Sequence, residues 1–239
     1  MTRNGVYISG LGYYPNPLDP DVTQSAVFID HIKNIIKAAS KLDVPVVNTF
    51  IGRDPSKSIE YNLGRYAEVW PEIIKQAGDA GVKIAIENCP MLFTEDEWPG
   101  GKNLAISPAI WDKMFEIIPD EHFGLNYDPS HLVWMQMDEI QPIYDFKERL
   151  HHVHLKDVKI YHDKLNRVGI LAYPLQFHSP KIPGYGDVKW GHFFSALTTI
   201  GYRGPVCIEV EDKAFEGSAD DVRSALLTSR NYLSQYLNI

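Results

Sequence analysis

A chain of 239 residues with 44% hydrophobic and 23% charged side chains has the balance of a globular protein, and its net charge of −8 argues against the basic face that nucleic acid requires. No run of about twenty apolar residues is present to span a bilayer, and MTRNGVYISG has neither the apolar core nor the cleavage pattern of a signal peptide. The two cysteines, Cys89 and Cys207, make no disulfide framework, so the expected setting is the reducing cytoplasm.

In chain order, the apolar run GVYISG (5–10) is expected as the first strand. Val27, Ile32, Ile35, Ile36 and Ala39 then recur at helical steps before a second strand, VPVVNTF (44–50). Val69, Ile73, Ile74 and Ala77 mark the next helix, and VKIAIENC (82–89) the third strand. After a loop from Cys89 to Lys102, Ser107-Pro108 supplies an N-cap and a first-turn proline for a helix facing inward through Trp111, Met114, Phe115 and Ile118. HFGLNYD (122–128) and HHVHLKD (151–157) read as strands four and five, followed by a long loop from Val158 to Lys189. A helix with Phe193, Phe194, Leu197 and Ile200 leads to the sixth strand, PVCIEVE (205–211). The last helix opens near Ser218 and carries Val222, Leu226, Leu227, Tyr232 and Leu233.

Alternating strands and helices imply a parallel sheet with crossover helices, either an open doubly wound sheet or a (β/α) barrel. GLGYYPNP lacks the glycine spacing of a dinucleotide loop, which weakens the open-sheet reading. Long loops after the strands sit where a barrel builds its site. No linker, repeat or low-complexity stretch divides the chain, so residues 1–239 are expected to form a single domain.

Four strands finish on a group able to bind metal: Glu87, Asp128, His154 and Glu209. Strand alternation puts Ala85 with Glu87, Asn126 with Asp128, and His152 with His154 on common faces. Three carboxylates and one imidazole make an oxygen-rich set suited to Mn²⁺, Mg²⁺ or Co²⁺. Each residue also has an ordinary reading: a glutamate at a strand end is often solvated, an aspartate before proline starts a turn, and a strand histidine pairs within the core. His152, one pleat deeper, is expected to support His154 or to be satisfied in the core, and His151 to pack outward. Asp157 is expected to cap the following turn.

ENCP around Glu87, NYDPSH (126–131), HVHLKD (152–157), PGYGDVKW (183–190) and YRGPVCIEVED (202–212) together resemble the xylose-isomerase-like barrel superfamily of sugar isomerases, epimerases and inosose dehydratases. The resemblance implies an α/β, TIM-barrel-like fold. About six βα units are present rather than eight, so the barrel is incomplete and N-terminally short, with open edges that a homo-oligomer would cover. It implies one divalent metal held by Glu87, Asp128, His154 and Glu209, with Mn²⁺ favoured and Mg²⁺, Co²⁺ or Zn²⁺ as alternatives. It implies a proton moved beside the carbonyl of a sugar or polyol ketone through a metal-bound enediolate, with Glu87 and Glu209 as the acid–base pair.

The same resemblance puts His131 against substrate. Lys156 is placed to polarise a substrate oxygen or to enter a salt bridge, while Trp98 and Trp134 are placed to wall a sugar pocket or to pack. His178 and Lys181, in the long loop, receive no role. The rival readings are a metal-dependent dehydratase of the inosose type and a non-catalytic metal- or sugar-binding paralogue. The endonuclease branch of the superfamily requires further histidines, which ISGLGYYPN and VVNTF do not contain.

Overall fold

The computed structural model describes residues 2–92, 94–98 and 100–237. They divide into two compact units, one of the described residues up to 127 together with 148–152, and one of residues 128–147 together with those from 153 to 237.

The first unit runs β1 (Leu11–Gly12), α1 (Val22–Lys41), β2 (Val46–Thr49), α2 (Ile59–Asp79), β3 (Lys83–Glu87), α3 (Pro108–Ile117) and β4 (Phe123–Tyr127), and it takes the first half of β5 (Leu150–Leu155). Its strands pair in parallel, with Leu11 against Val47, Val47 against Ile84, and Glu87 against Asn126. Both β2 and β4 are buried at every position, as strands of a parallel sheet covered on both faces are, and they bury the polar side chains of Asn48, Thr49 and Asn126 as well as their apolar ones. Helices α1 and α2 start on side-chain caps, Asp21 accepting from the Thr23 and Gln24 amides and Ser58 from the Tyr61 amide. At α3, Ser107 stands at the N-cap without a side-chain cap hydrogen bond, and Pro108 opens the first turn. Trp70 and Trp111 fill the core, and each indole N–H donates to a backbone carbonyl, of Ile51 and Ala105 respectively.

The second unit contains α4 (Pro129–Trp134), α5 (Gln141–Asp145), the second half of β5, β6 (Asp157–Ile160), α6 (His162–Val168), β7 (His178–Lys181), α7 (Trp190–Thr199), β8 (Val206–Ile208) and α8 (Ala219–Leu233). β5 and β8 pair in parallel, with His154 opposite Cys207. β6 and β7 form a separate antiparallel ribbon, with Asp157 opposite Lys181. The main sheet has the order β1-β2-β3-β4-β5-β8. This is an α/β fold of the (β/α) barrel type with six strands in place of eight.

Three expectations need correcting. GVYISG is not a strand: Val6 and Tyr7 are 57% and 79% exposed, and only Leu11 and Gly12 meet the register of β2. The stretch from Val158 to Lys189 is not simply a loop, because it carries the β6–β7 ribbon and α6. Its strands, DVKI and HSPK, alternate weakly and include a proline, which a two-stranded ribbon tolerates. On α8 the buried side chains are Ala225, Ser229 and Leu233, whereas Val222, Leu226 and Leu227 are exposed.

Asp157 secures the segment after the ribbon. One carboxylate oxygen accepts from the Val158 and Val188 amides at 2.8 and 3.0 Å, and the other from the Gly184 amide and the Trp190 indole N–H, both at 2.9 Å. Burial raises its pKa, and these four hydrogen bonds oppose the rise. Gly184 has φ +93°, and a Cβ on Gly186 would meet Asp157 Oδ1 at 2.2 Å, so both glycines are required by this packing.

Candidate metal centre

Asp128 follows β4 and caps α4. Its Oδ1 accepts from the Ser130 amide at 2.8 Å and from the Ser130 hydroxyl at 2.7 Å. With Oδ1 engaged, Oδ2 lies 3.3 Å from His131 Nε2 and 3.2 Å from Lys156 Nζ. On β5, His154 shares a register position with Cys207, and Glu209 continues the β8 path with its amide donating to the Leu155 carbonyl. His154 Nδ1 lies 3.3 Å from Glu209 Oε2. Lys156 reaches that same oxygen, and Glu211 Oε2, each at 3.2 Å.

Lys156 is thus a buried ammonium surrounded by Asp128, Glu209 and Glu211. A cation withdrawn from water needs such partners to offset its desolvation. Asp128 is fully buried, whereas the Glu209 side chain is 28% exposed.

Asp128, His154 and Glu209 each offer one nitrogen or oxygen atom, all within 4.8 Å of one another. The donors are carboxylate oxygens and an imidazole nitrogen with no thiolate among the three, a set that fits a divalent cation of the Mg²⁺, Mn²⁺, Co²⁺ or Zn²⁺ kind. Ser130 fixes the aim of the Asp128 carboxylate in the way outer hydrogen bonds orient metal ligands. These residues could hold a divalent ion.

The other expected residues fall as follows. His131 and Trp134 lie on one face of α4, buried, and the Trp134 indole N–H donates to His131 Nδ1 at 3.3 Å. Glu87 ends β3 in the first unit, buried, with its backbone carbonyl accepting from Asn103. Trp98, also in the first unit, is half-buried just after a short 3-10 turn. His152 Nδ1 is 3.0 Å from Asn126 Oδ1, a rung within the first unit. His151 is buried against Gly124, and burial lowers its pKa to about 3.

Ser130, Glu211 and His178 were given no role by the sequence, yet all three take part here. Ser130 was legible as the serine after Asp-Pro at a helix start, and Glu211 by its two-residue spacing from Glu209. His178 stacks on Trp134, with ring centroids 5.0 Å apart and planes at 19°, and nothing in the spacing foretold that contact.

A chain of six parallel strands whose second unit gathers two carboxylates and an imidazole after β4, on β5 and after β8 is a barrel-type α/β protein with a candidate divalent-metal centre. The family described as xylose isomerase-like TIM barrel matches residues 1–232, and the chain belongs to it. The uncharacterized protein YfiH of Bacillus subtilis (strain 168) is 30% identical over 177 residues, 70% of this chain and 52% of that protein. An inosose dehydratase of Clostridium perfringens (strain 13 / Type A) is 26% identical over 132 residues, 54% of this chain and 43% of that enzyme. The chain therefore spans about half the length of these curated relatives.

Among solved structures, a D-tagatose 3-epimerase-like protein superimposes with a TM-score of 0.68 at 20% identity, covering 98% of this chain and 80% of the other. The IOLI protein with a binding zinc atom gives a TM-score of 0.70 at 18% identity, covering 96% and 78%. At these identities the likeness is one of fold. Among the described residues no helix is long and apolar enough to cross a membrane.

Proposed function

We propose that the chain is a divalent-metal-dependent isomerase or epimerase acting on a ketose or a related polyol ketone. The observation that carries this reading is the meeting of Asp128, His154 and Glu209 around the buried Lys156 in a chain of this family. In this reading Glu87 is the fourth ligand and Mn²⁺ the preferred ion. Bound there, the ion would supply Lewis acidity to a substrate carbonyl.

Glu87 and Glu209 are assigned as the acid–base pair that removes a proton from the carbon beside that carbonyl and returns it. The partial exposure of Glu209 suits it to proton transfer, whereas buried Asp128 is suited to ligation alone. His131 is assigned to a substrate oxygen through Nε2, Lys156 to a second oxygen, and Trp98 to the wall of the sugar pocket. The protein is read as one cytoplasmic domain that binds small molecules and pairs its terminal strands, β1 and β8, with further copies of itself.

The test is elemental analysis of protein purified without chelator, followed by exposure of a panel of ketoses to deuterated water. About one equivalent of metal, lost in His154→Ala, with deuterium entering beside the ketose carbonyl, is the expected result. No metal after incubation with Mn²⁺, or no exchange with any ketose, would overturn the reading. The dehydratase alternative draws on the similarity to inosose dehydratase. It predicts net loss of water from a polyol ketone, with no epimer among the products.

A further inference from the structure

We infer that Trp134 fixes the tautomer of His131, so that this imidazole presents an N–H at Nε2. An indole Nε1–H can only donate. It points at His131 Nδ1 at 3.3 Å, so Nδ1 must be the accepting nitrogen, and the hydrogen of the neutral ring resides on Nε2. The charge at the other end of the ring agrees: Nε2 lies 3.3 Å from Asp128 Oδ2, and a ring N–H is electrostatically better placed beside a carboxylate oxygen than a lone pair is.

The indole is itself held. Trp134 is buried on α4, three residues beyond His131 and therefore on the same helix face. Its ring stacks on His178, which in turn meets Phe177 edge-on at 5.8 Å. The ribbon strand β7 thereby braces the tryptophan that orients the histidine. Trp134 and His178 act as positioning residues.

The catalytic consequence rests on the isomerase reading given above. An Nε2–H offered to a substrate oxygen stabilises negative charge developing there, whereas the other tautomer would present a lone pair to that charge.

The test is a long-range proton–nitrogen correlation spectrum of the full chain labelled with ¹⁵N-histidine, stripped of metal and held at mildly alkaline pH. His131 is assigned from the signals missing in His131→Gln. The expected pattern is that of an Nε2-protonated ring in the wild type. It should become a mixture of tautomers in Trp134→Phe, which keeps the stack on His178 but has no N–H to donate, and stay unchanged in His178→Phe, which keeps the brace.

An Nδ1-protonated ring in the wild type, or an identical spectrum in Trp134→Phe, would overturn the inference. Should Trp134→Phe not fold, the wild-type indole resonance of Trp134 decides: a slowly exchanging N–H supports the hydrogen bond, and a freely exchanging one refutes it. Neither readout uses metal or substrate. Failure here leaves the isomerase reading standing, and absent turnover leaves the tautomer standing.

Discussion

At the scale of single residues, the charges around Lys156 pull in two directions. Its ammonium lies 3.2 Å from oxygens of both Asp128 and Glu209, two residues able to ligate a divalent ion. A second cation brought to those carboxylates is repelled by the first, yet the carboxylates need a cation near them to stay buried. Lys156→Met is therefore expected to bind Mn²⁺ about tenfold more tightly, equivalent to about 1.4 kcal/mol, while melting lower than the wild type in chelator. Titration calorimetry and thermal melts measure the two effects separately, and weaker Mn²⁺ binding in the variant would count against the repulsion argument.

Asp157 makes the complementary case. Asp157→Asn replaces one of two fully used acceptor oxygens by a donor that would face N–H groups. Losing two hydrogen bonds to a charged acceptor is expected to cost on the order of 3 kcal/mol in denaturant unfolding. The acceptor role at residue 157 was not legible in the sequence beyond a turn cap, because its partners Gly184, Val188 and Trp190 lie about thirty positions away. Asp128 and His154 could be singled out in the sequence because alternation along a strand says which side chains share a face without any long-range knowledge, and Glu209 because it stands at a strand end.

At the scale of elements, β2 to β5 and β8 were legible in the sequence, whereas β1, β6 and β7 were not. β2 to β5 are β-branched or aromatic runs bounded by clear breaks, whereas β1 is two residues long and its apolar neighbours Val6 and Tyr7 are exposed. The ribbon β6–β7 escaped because neither strand alternates cleanly. Helix α8 shows the limit of periodicity: of the expected apolar set Leu233 is buried, but Val222, Leu226 and Leu227 are exposed, and the small residues Ala225 and Ser229 face inward in their place. Small residues on a tightly packed face carry little hydropathy signal.

That difference can be tested. Leu226→Lys should change the stability of the monomer by less than about 0.5 kcal/mol, as surface substitutions do. Ala225→Leu should destabilise by about 1–3 kcal/mol through overpacking. Equal effects of the two variants in urea unfolding would show that the helix faces are misassigned.

At the scale of the whole molecule, buried neutral histidines set the acid limit. Burial lowers the pKa of both His151 and His178 to about 3, from ordinary values of 6.5. Between those values the unfolded chain binds protons that the folded chain refuses. The stability these residues contribute is therefore complete above pH 6.5 and lost as the pH falls toward 3. The urea midpoint should decline steadily below about pH 6.5, the ordinary imidazole range, and decline less steeply in His151→Leu. A flat acid profile in the wild type would contradict the burial of these rings.

The terminal strands also bear on the whole molecule, because β1 and β8 close the strand order at its two ends. Cys207 lies on β8 opposite His154, and it is exposed, whereas Cys89 is half-buried. The chain thus carries its own chemical gauge of that border. An aromatic disulfide reagent should modify Cys207 faster than Cys89, and the rate at Cys207 should fall as protein concentration rises if copies of the chain cover the strand. The same exposure opens this sulfur, two positions from Glu209, to oxidants in the solvent.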